Sequence, residues 1–209
     1  MKKTHVFLPV LFLSLFACRK SPDISQLSSA FAVQTTRQPD ADFGSYKTFY
    51  ISDTIAFRST NPLDTLLIGP GAKQLVDAVK TNMTARGYTF VASNHSSPDL
   101  GMGLTVIKDL NVGVIYPGWW WGYWGGCYWG YCGYPPYYPW YGGGIVYSIP
   151  TGTIILDCID LKNASANQKL YVPWGSVMSG GLGDNATDIQ LGVNAINQAF
   201  EQSPYLKTN

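Results

Sequence analysis

The chain has 209 residues, of which 13% are charged, and a formal net charge of +1. That length suits one ordinary domain with tails and loops. The near-neutral balance, with no basic block and no acidic tail, argues against a nucleic-acid surface or a solvating acidic segment.

The N-terminus reads MKKTHVFLPVLFLSLFAC. Lys2 and Lys3 precede an apolar run over residues 6–16, and small residues follow. This is the order of a secretory signal, here residues 1–17. The run is too short for a bilayer span of about 20 residues. The stretch "LFAC" resembles a bacterial lipobox, with Leu15 at −3, Ala17 at −1 and Cys18 as the first mature residue. That resemblance implies a diacylglycerol on the Cys18 thiol and a further acyl chain, such as palmitate, on its amine. Several chains together hold a protein to a membrane where one does so only marginally. A plain signal peptide followed by a coincidental cysteine is the alternative. Arg19 stands where inner-membrane lipoproteins carry Asp, which points to the outer membrane, on either its periplasmic or its surface face. Residues 18–39 are expected to be a tether, because "RKSPDISQLSSA" is polar, Ser-rich and broken by proline.

A single α+β domain is expected over residues 40–206. "SYKTFYIS" (45–52) reads as a strand, rich in aromatic and β-branched residues. Pro70 and Gly71 read as a turn. Ala72, Leu75, Val76, Val79 and Met83 then recur at helical spacing, with Arg86 in the last turn and Gly87 free to take a left-handed cap. "YTFVA" (88–92) predicts a short strand, and "LGMGLTVIKDL" (100–110) a second, weakened by Gly101 and Gly103. "GTIILDCIDL" (152–161) alternates as a strand should. "NASANQ" supplies a turn, and "KLYVPWGSVMSG" returns as its partner, with Pro173 suited to an edge or a bulge. A last helix carries a stripe of Ile189, Val193, Ile196 and Phe200, a capping-box pair at Thr187 and Gln190, and Pro204 as its stop. The expected architecture is a mostly antiparallel sheet with two amphipathic helices on one face, plus a long Gly/Trp/Tyr-rich loop.

That loop, residues 117–144, holds six of the seven tryptophans, nine glycines and four prolines, and no charge. So many glycines and prolines rule out a membrane-spanning helix or a regular core strand. Its aromatic content is wrong for a disordered linker. A surface loop or loose hairpin remains, with Trp119, Trp120, Trp121, Tyr123, Trp124, Trp129, Tyr137, Tyr138 and Trp140 as candidate contact residues. Such rings could meet a protein partner, lipid headgroups or sugar rings, or could pack on each other and on the sheet. The stretch lacks the charged or amide groups that would orient sugar hydroxyls.

Cys127 and Cys132 frame "CYWGYC". Outside the cytoplasm they suit a disulfide, two free thiols being the alternative. Cys158 lies in an apolar strand and reads as a small buried hydrophobe. His95 is the only histidine beyond the signal and reads as a solvated loop residue. Asp157 and Asp160 fall on opposite faces of one strand, unsuited to paired acid–base work. Asp40 and Asp42 read as turn residues. No phosphate-cradling glycine loop or zinc-helix motif appears, so no catalytic residue, cofactor or metal is expected. Asp53-Thr54-Ile55 and Asp64-Thr65-Leu66 resemble an O-glycosylation pattern of envelope bacteria.

Several stretches in order resemble the bacterial lipoprotein family called domain of unknown function 4136. These are "DADFGSYKTFYI", "RGYTFV" with "SPDLGMGLTV", "GTIILDCIDLKNASANQKLYVPWGSV" and "NAINQAFEQSPY". The resemblance runs from about Asp40 to Tyr205 and implies an envelope lipoprotein with an α+β domain and no known catalytic residues. Where the family reads Trp, any residue, Gly, this chain has Gly175 directly after Trp174. The expected function is therefore that of a membrane-anchored, non-enzymatic structural or interaction module. Its partners would be the membrane through its anchor and other envelope proteins or glycans, not nucleic acid. A glycan-binding module or envelope hydrolase is the alternative.

Overall fold

The structure, a computed structural model, describes residues 31–61, 63, 65–108, 127–128, 130–139, 152–180 and 186–209. The expected signal, Cys18 and the first part of the tether lie outside these residues.

The centre of the fold is a sheet of nine strands among the described residues, ordered β1-β11-β10-β6-β2-β5. These are β1 (Ala32–Arg37), β2 (Thr48–Ile51), β5 (Thr89–Phe90), β6 (Leu100–Ile107), β10 (Thr153–Asp160) and β11 (Leu170–Ser179). β3 (Ile55–Arg58) continues the line of β2 along β6, β4 (Leu66–Leu67) pairs with β3, and β9 (Pro136–Tyr137) pairs with β11. The long strands β1, β11, β10 and β6 are antiparallel, whereas β2 and β3 run parallel to β6 and β5 parallel to β2. The sheet is thus mixed rather than simply antiparallel. The reason is topological: the helix α1 (Pro70–Ala85) lies between β3 and β6, and a crossover helix returns the chain in the parallel sense.

The first strand corrects the expected tether. Residues 32–37 pair with β11 in unbroken register, Ala32 facing Ser179 and Arg37 facing Trp174. "AVQTTR" lacks apolar alternation, so nothing in it signals a strand; the open edge of β11 imposes one. Val33 packs against the core, and the Arg37 guanidinium lies 4.1 Å from the Tyr205 ring. The folded body extends beyond residue 206 as well. Leu206 is buried, Thr208 N–H donates to the Arg86 carbonyl at 3.1 Å, and Lys47 Nζ donates to the Asn209 carbonyl at 2.9 Å.

The helices α1 and α3 (Ala186–Glu201) lie side by side on one face of the sheet. Their contacts keep step along both: a Cβ on Gly71 would touch Ile189, Asn82 bonds Asn197 at 2.7 Å, and Arg86 Nη2 bonds the Phe200 carbonyl at 2.7 Å. The two helices are therefore parallel. The predicted stripe of α1 is buried throughout. Pro70, expected in a turn, instead opens the helix, where its missing N–H costs nothing. Gly87 takes φ 91° as the C-terminal cap. The α3 stripe is rotated from the expected one. Ala195, Ala199, Ile196 and Phe200 are buried while Val193 is only partly so. Small residues face inward because α1 lies close. Thr187 falls inside α3 rather than at its cap. "NASANQ" forms a single helical turn, α2 (Ala164–Asn167).

Under the helices lie Phe49, Ile51, Ile55, Met102, Leu156 and Trp174. Trp174 is fully buried, stacks on Phe200 with centroids 5.5 Å apart, and donates from Nε1 to Ser203 Oγ at 2.8 Å. The adjacent Gly175 leaves the register intact: pairing of β10 with β11 is regular from Thr153–Ser179 to Cys158–Trp174 and shifts only beyond, beside Pro173. Pro173 thus sits at a bulge, as expected. Both faces of β10 are buried, since all eight of its residues are.

Candidate interaction site

Asp157 lies mid-strand in β10 on the face turned from the helices. Directly opposed residues share a face. Its neighbours in the ladder are Gly103 on one side and Gly175 on the other, and Gly101 faces Ile159 two residues on. Three positions without side chains therefore surround one carboxylate, leaving a notch in the sheet surface floored by an acid. Asp157 is only 3% exposed. A carboxylate at that depth costs several kcal/mol unless donors meet it. Tyr138 provides one, its hydroxyl donating to Oδ2 at 3.0 Å.

Tyr138 belongs to the aromatic stretch, and the described part of that stretch is built onto the sheet. β7 (Cys127–Tyr128) and β8 (Tyr131–Cys132) form a hairpin with Gly130 at φ 92° in its turn. Cys132 is disulfide-bonded, and Cys127 faces it across the ladder. Opposed antiparallel residues have Cα atoms about 4.5–5.5 Å apart, within disulfide range. The Tyr131 hydroxyl donates to the Leu161 carbonyl at 3.0 Å. Leu170 N–H donates to the Pro135 carbonyl at 3.0 Å, and β9 then runs parallel to β11. Tyr137 meets Tyr171 edge-on at 4.8 Å, with Lys169 Nζ 5.2 Å from the Tyr137 ring.

These contacts sort the predicted contact residues. Tyr138 is buried and engaged with Asp157, so it is an internal fixture and not a contact surface. Tyr137 is 41% exposed and keeps an open ring edge. Trp119, Trp120, Trp121, Tyr123, Trp124, Trp129 and Trp140 lie outside the described residues.

The remaining candidates have structural roles. Cys158 is free and fully buried on the helix side. Burial, followed by the Asp160 and Asp157 charges, pushes its thiol well above the usual range, the reverse of an activated nucleophile. Asp160 faces the other way from Asp157 and accepts from Asn163 N and Nδ2, at 3.0 and 2.7 Å, which holds α2. His95 is exposed in a short 3-10 turn, where Ser93 Oγ accepts its backbone N–H. Asp42 precedes another such turn over Phe43–Ser45. Among the described residues no cluster of three His, Cys, Asp or Glu could hold a metal ion, and no helix is long and apolar enough to cross a membrane.

Two features escaped the sequence reading. Asp99 Oδ2 accepts from Lys47 N and Thr48 N, at 2.6 and 3.2 Å, while its carbonyl accepts from Leu161 and Lys162 N–H. One residue so ties the starts of β2 and β6 to the end of β10, and only the fold reveals that meeting. The glycine notch did leave a signal: Gly101 and Gly103 are spaced by two and must share a face. Read as weakness in a strand, they instead mark the side of the sheet that receives the aromatic segment.

Fold and site together define an α+β domain with two parallel helices on one face of a mixed sheet and an aromatic insertion anchored on the other. The chain belongs to the family DUF4136, a domain of unknown function, whose model matches residues 33–205. It is similar to the crystal structure of a DUF4136 family protein from Bacteroides thetaiotaomicron, at 35% identity and TM-score 0.70, over 86% of this chain and 99% of that one. A PelC dodecamer from Paraburkholderia phytofirmans matches at 11% identity and TM-score 0.40, over 86% and 99% of the two chains. A PDZ domain protein from Parabacteroides distasonis matches at 14% and 0.43, over 83% and 36%. Among curated proteins there is no significant match.

Proposed function

We propose that this protein is an envelope lipoprotein, acylated at Cys18 and held at the outer membrane, whose domain is a non-catalytic module presenting the aromatic stretch 117–144 to an envelope partner. One observation carries the reading. The described part of the stretch is a fixture of the fold, tied down by the Tyr138–Asp157 bond, the Tyr131–Leu161 bond and the β9–β11 pairing. The same stretch carries six tryptophans, and residues 130–139 give it fixed points on the sheet from which those rings can be offered to a partner. Family membership and the lipobox-like "LFAC" support the membrane half of the reading.

Two measurements test it. Cells fed labelled palmitate should label the native chain and not Cys18→Ala, which should leave the membrane fraction. Serine at Trp119, Trp120, Trp121 and Trp124 together should leave the unfolding midpoint within error while removing crosslinks to envelope components in intact cells. Unchanged crosslinking would defeat the aromatic half of the proposal.

A further inference from the structure

The sheet register places the N-terminal exit and an exposed apolar loop at the same end of the sheet, about 19 Å apart across five strands. Ala32 faces Ser179, Ser179 faces Thr153, Thr153 faces Ile107, and Ile107 faces Arg58. These residues form one row across five strands, at one end of the sheet. Phe31, where the described chain begins, and residues 59–65, which leave β3, therefore emerge at the same end.

The loop there is apolar and shaped. Leu63 in the loop is 84% exposed; Leu66, 43% exposed, and Ile68, 70% exposed, follow on β4 and just past it, along the sheet edge that runs back from this end beside β3. Among the described residues the only other large exposed hydrophobic is Tyr137, which sits at the opposite end beside Tyr171. Three exposed aliphatic side chains within six residues are unusual for a free surface. Two side-chain to backbone bonds shape the loop. Asn61 N–H donates to Ser59 Oγ at 3.0 Å and Leu63 N–H to Asn61 Oδ1 at 3.1 Å. Side-chain turns of this kind favour a local turn geometry. The backbones of Arg58 and Lys108 meet at the same end, Lys108 N–H donating to the Arg58 carbonyl at 2.7 Å.

We propose that Leu63, Leu66 and Ile68 form a membrane-docking edge that rests in the headgroup layer of the bilayer to which the chain is anchored. This rests on the lipid-anchor reading above. Tether length is what selects lipid as the occupant. Residues 19–30 separate Cys18 from Phe31, and a segment of that length reaches at most about 40 Å. The proposed anchor therefore tethers this end of the sheet within that distance of the lipid and raises the effective concentration of the aliphatic residues against it.

The test places an environment-sensitive fluorophore at Leu63→Cys, and at Ala85→Cys at the far end of α1 as reference. Full-length protein is expressed, purified in acylated form and reconstituted into phosphatidylethanolamine–phosphatidylglycerol vesicles. The probe at position 63 should shift to the blue and be quenched by nitroxide-labelled lipid, while that at 85 stays water-like. Acylation verified by mass with both probes water-like overturns the docking edge and leaves the anchor standing. A shift that appears without vesicles and grows with protein concentration means a second copy covers the loop, and also overturns it. If the mass shows no acyl chain, the anchor reading has failed. The chain from residue 18 onward, with a hexahistidine tag replacing Cys18, is then held on vesicles bearing a nickel-chelating lipid. A blue shift at 63 alone still supports the edge, and its absence rejects it. In that format Leu63→Asp with Ile68→Asp should raise the fraction released by imidazole roughly tenfold, as expected for losing aliphatic burial.

Discussion

Replacing Tyr138 with phenylalanine removes one oxygen from the middle of the molecule. That oxygen donates at 3.0 Å to a carboxylate that is 3% exposed. Hydrogen bonds to a charged group contribute about 1.5–3 kcal/mol, and a buried acceptor left short of a donor loses that in full. Ring burial is unchanged, so the hydrophobic part of the site stays constant. In a domain of this size 1 kcal/mol moves Tm by about 2–4 °C, so Tyr138→Phe should lower Tm by roughly 3–12 °C. Urea unfolding, followed by far-UV circular dichroism, gives the free energy directly. Tyr137→Phe, on the exposed neighbouring ring, should stay within about 0.5 kcal/mol of the parent. A cycle with Asp157→Asn isolates the pair. If Tyr138→Phe and Asp157→Asn add to within about 0.5 kcal/mol, the two groups are not coupled, and the aromatic segment is not secured through Asp157.

Ser203→Ala should cost about 1–3 kcal/mol in urea, because the Trp174 indole N–H is left buried without its acceptor; the same change on a Trp174→Phe background should cost far less, and equal costs would refute the bond's role. Cys158 should resist iodoacetamide in the native protein up to pH 9 and react fully in guanidinium, since burial holds its thiol neutral; native labelling at the denatured rate would contradict that burial. Stability should fall as pH rises through 10. Burial raises the Tyr46 and Tyr88 phenols above their ordinary value of about 10, with the Asp160 charge adding to the shift at Tyr46. Above pH 10 the unfolded chain releases these protons while the folded one keeps them, which favours unfolding by about 1.4 kcal/mol per pH unit for each group. Urea midpoints equal at pH 8 and pH 10.5 would count against it.

How much of this was legible depended on which force shapes each element. Where burial dictates conformation, the pattern showed through: the stripe of α1, the alternation of β10 and the return of β11 are all visible in the order of apolar residues. Where conformation is lent by a neighbour, the pattern was silent. β1 is polar, and its strand geometry comes from hydrogen bonds offered by β11. The parallel pairing of β2 and β3 follows from the path of α1, not from any property of their own residues. At the candidate site, Tyr138 and Tyr137 are adjacent and chemically identical in the sequence. One is buried against Asp157 and the other faces solvent, a difference set by β9 docking on β11. The glycine spacing was readable in principle, but it needed the register of β10 to show that Asp157 lies between Gly103 and Gly175.

The two ends of the sheet are built differently, and that asymmetry bears on where the protein can do its work. At the end marked by Leu100, Asp160 and Tyr171, every connection is stitched. Asp99 joins three strands, the chain terminus is pinned to Arg86 and Lys47, and Tyr131 closes on Leu161. At the other end Ala32, Ser179, Thr153, Ile107 and Arg58 form one row, with Lys108 N–H donating to the Arg58 carbonyl and Gly152 N–H to the Ile107 carbonyl. Local opening costs least where buried contacts and cross-chain bonds are fewest. Amide exchange should therefore be slowest in the core of β10, which is buried on both faces, and at Leu161, whose N–H is bonded to the Asp99 carbonyl. Under the anchor proposed above, the end carrying Ala32 is the one the lipid meets first, because the chain enters β1 there from Cys18.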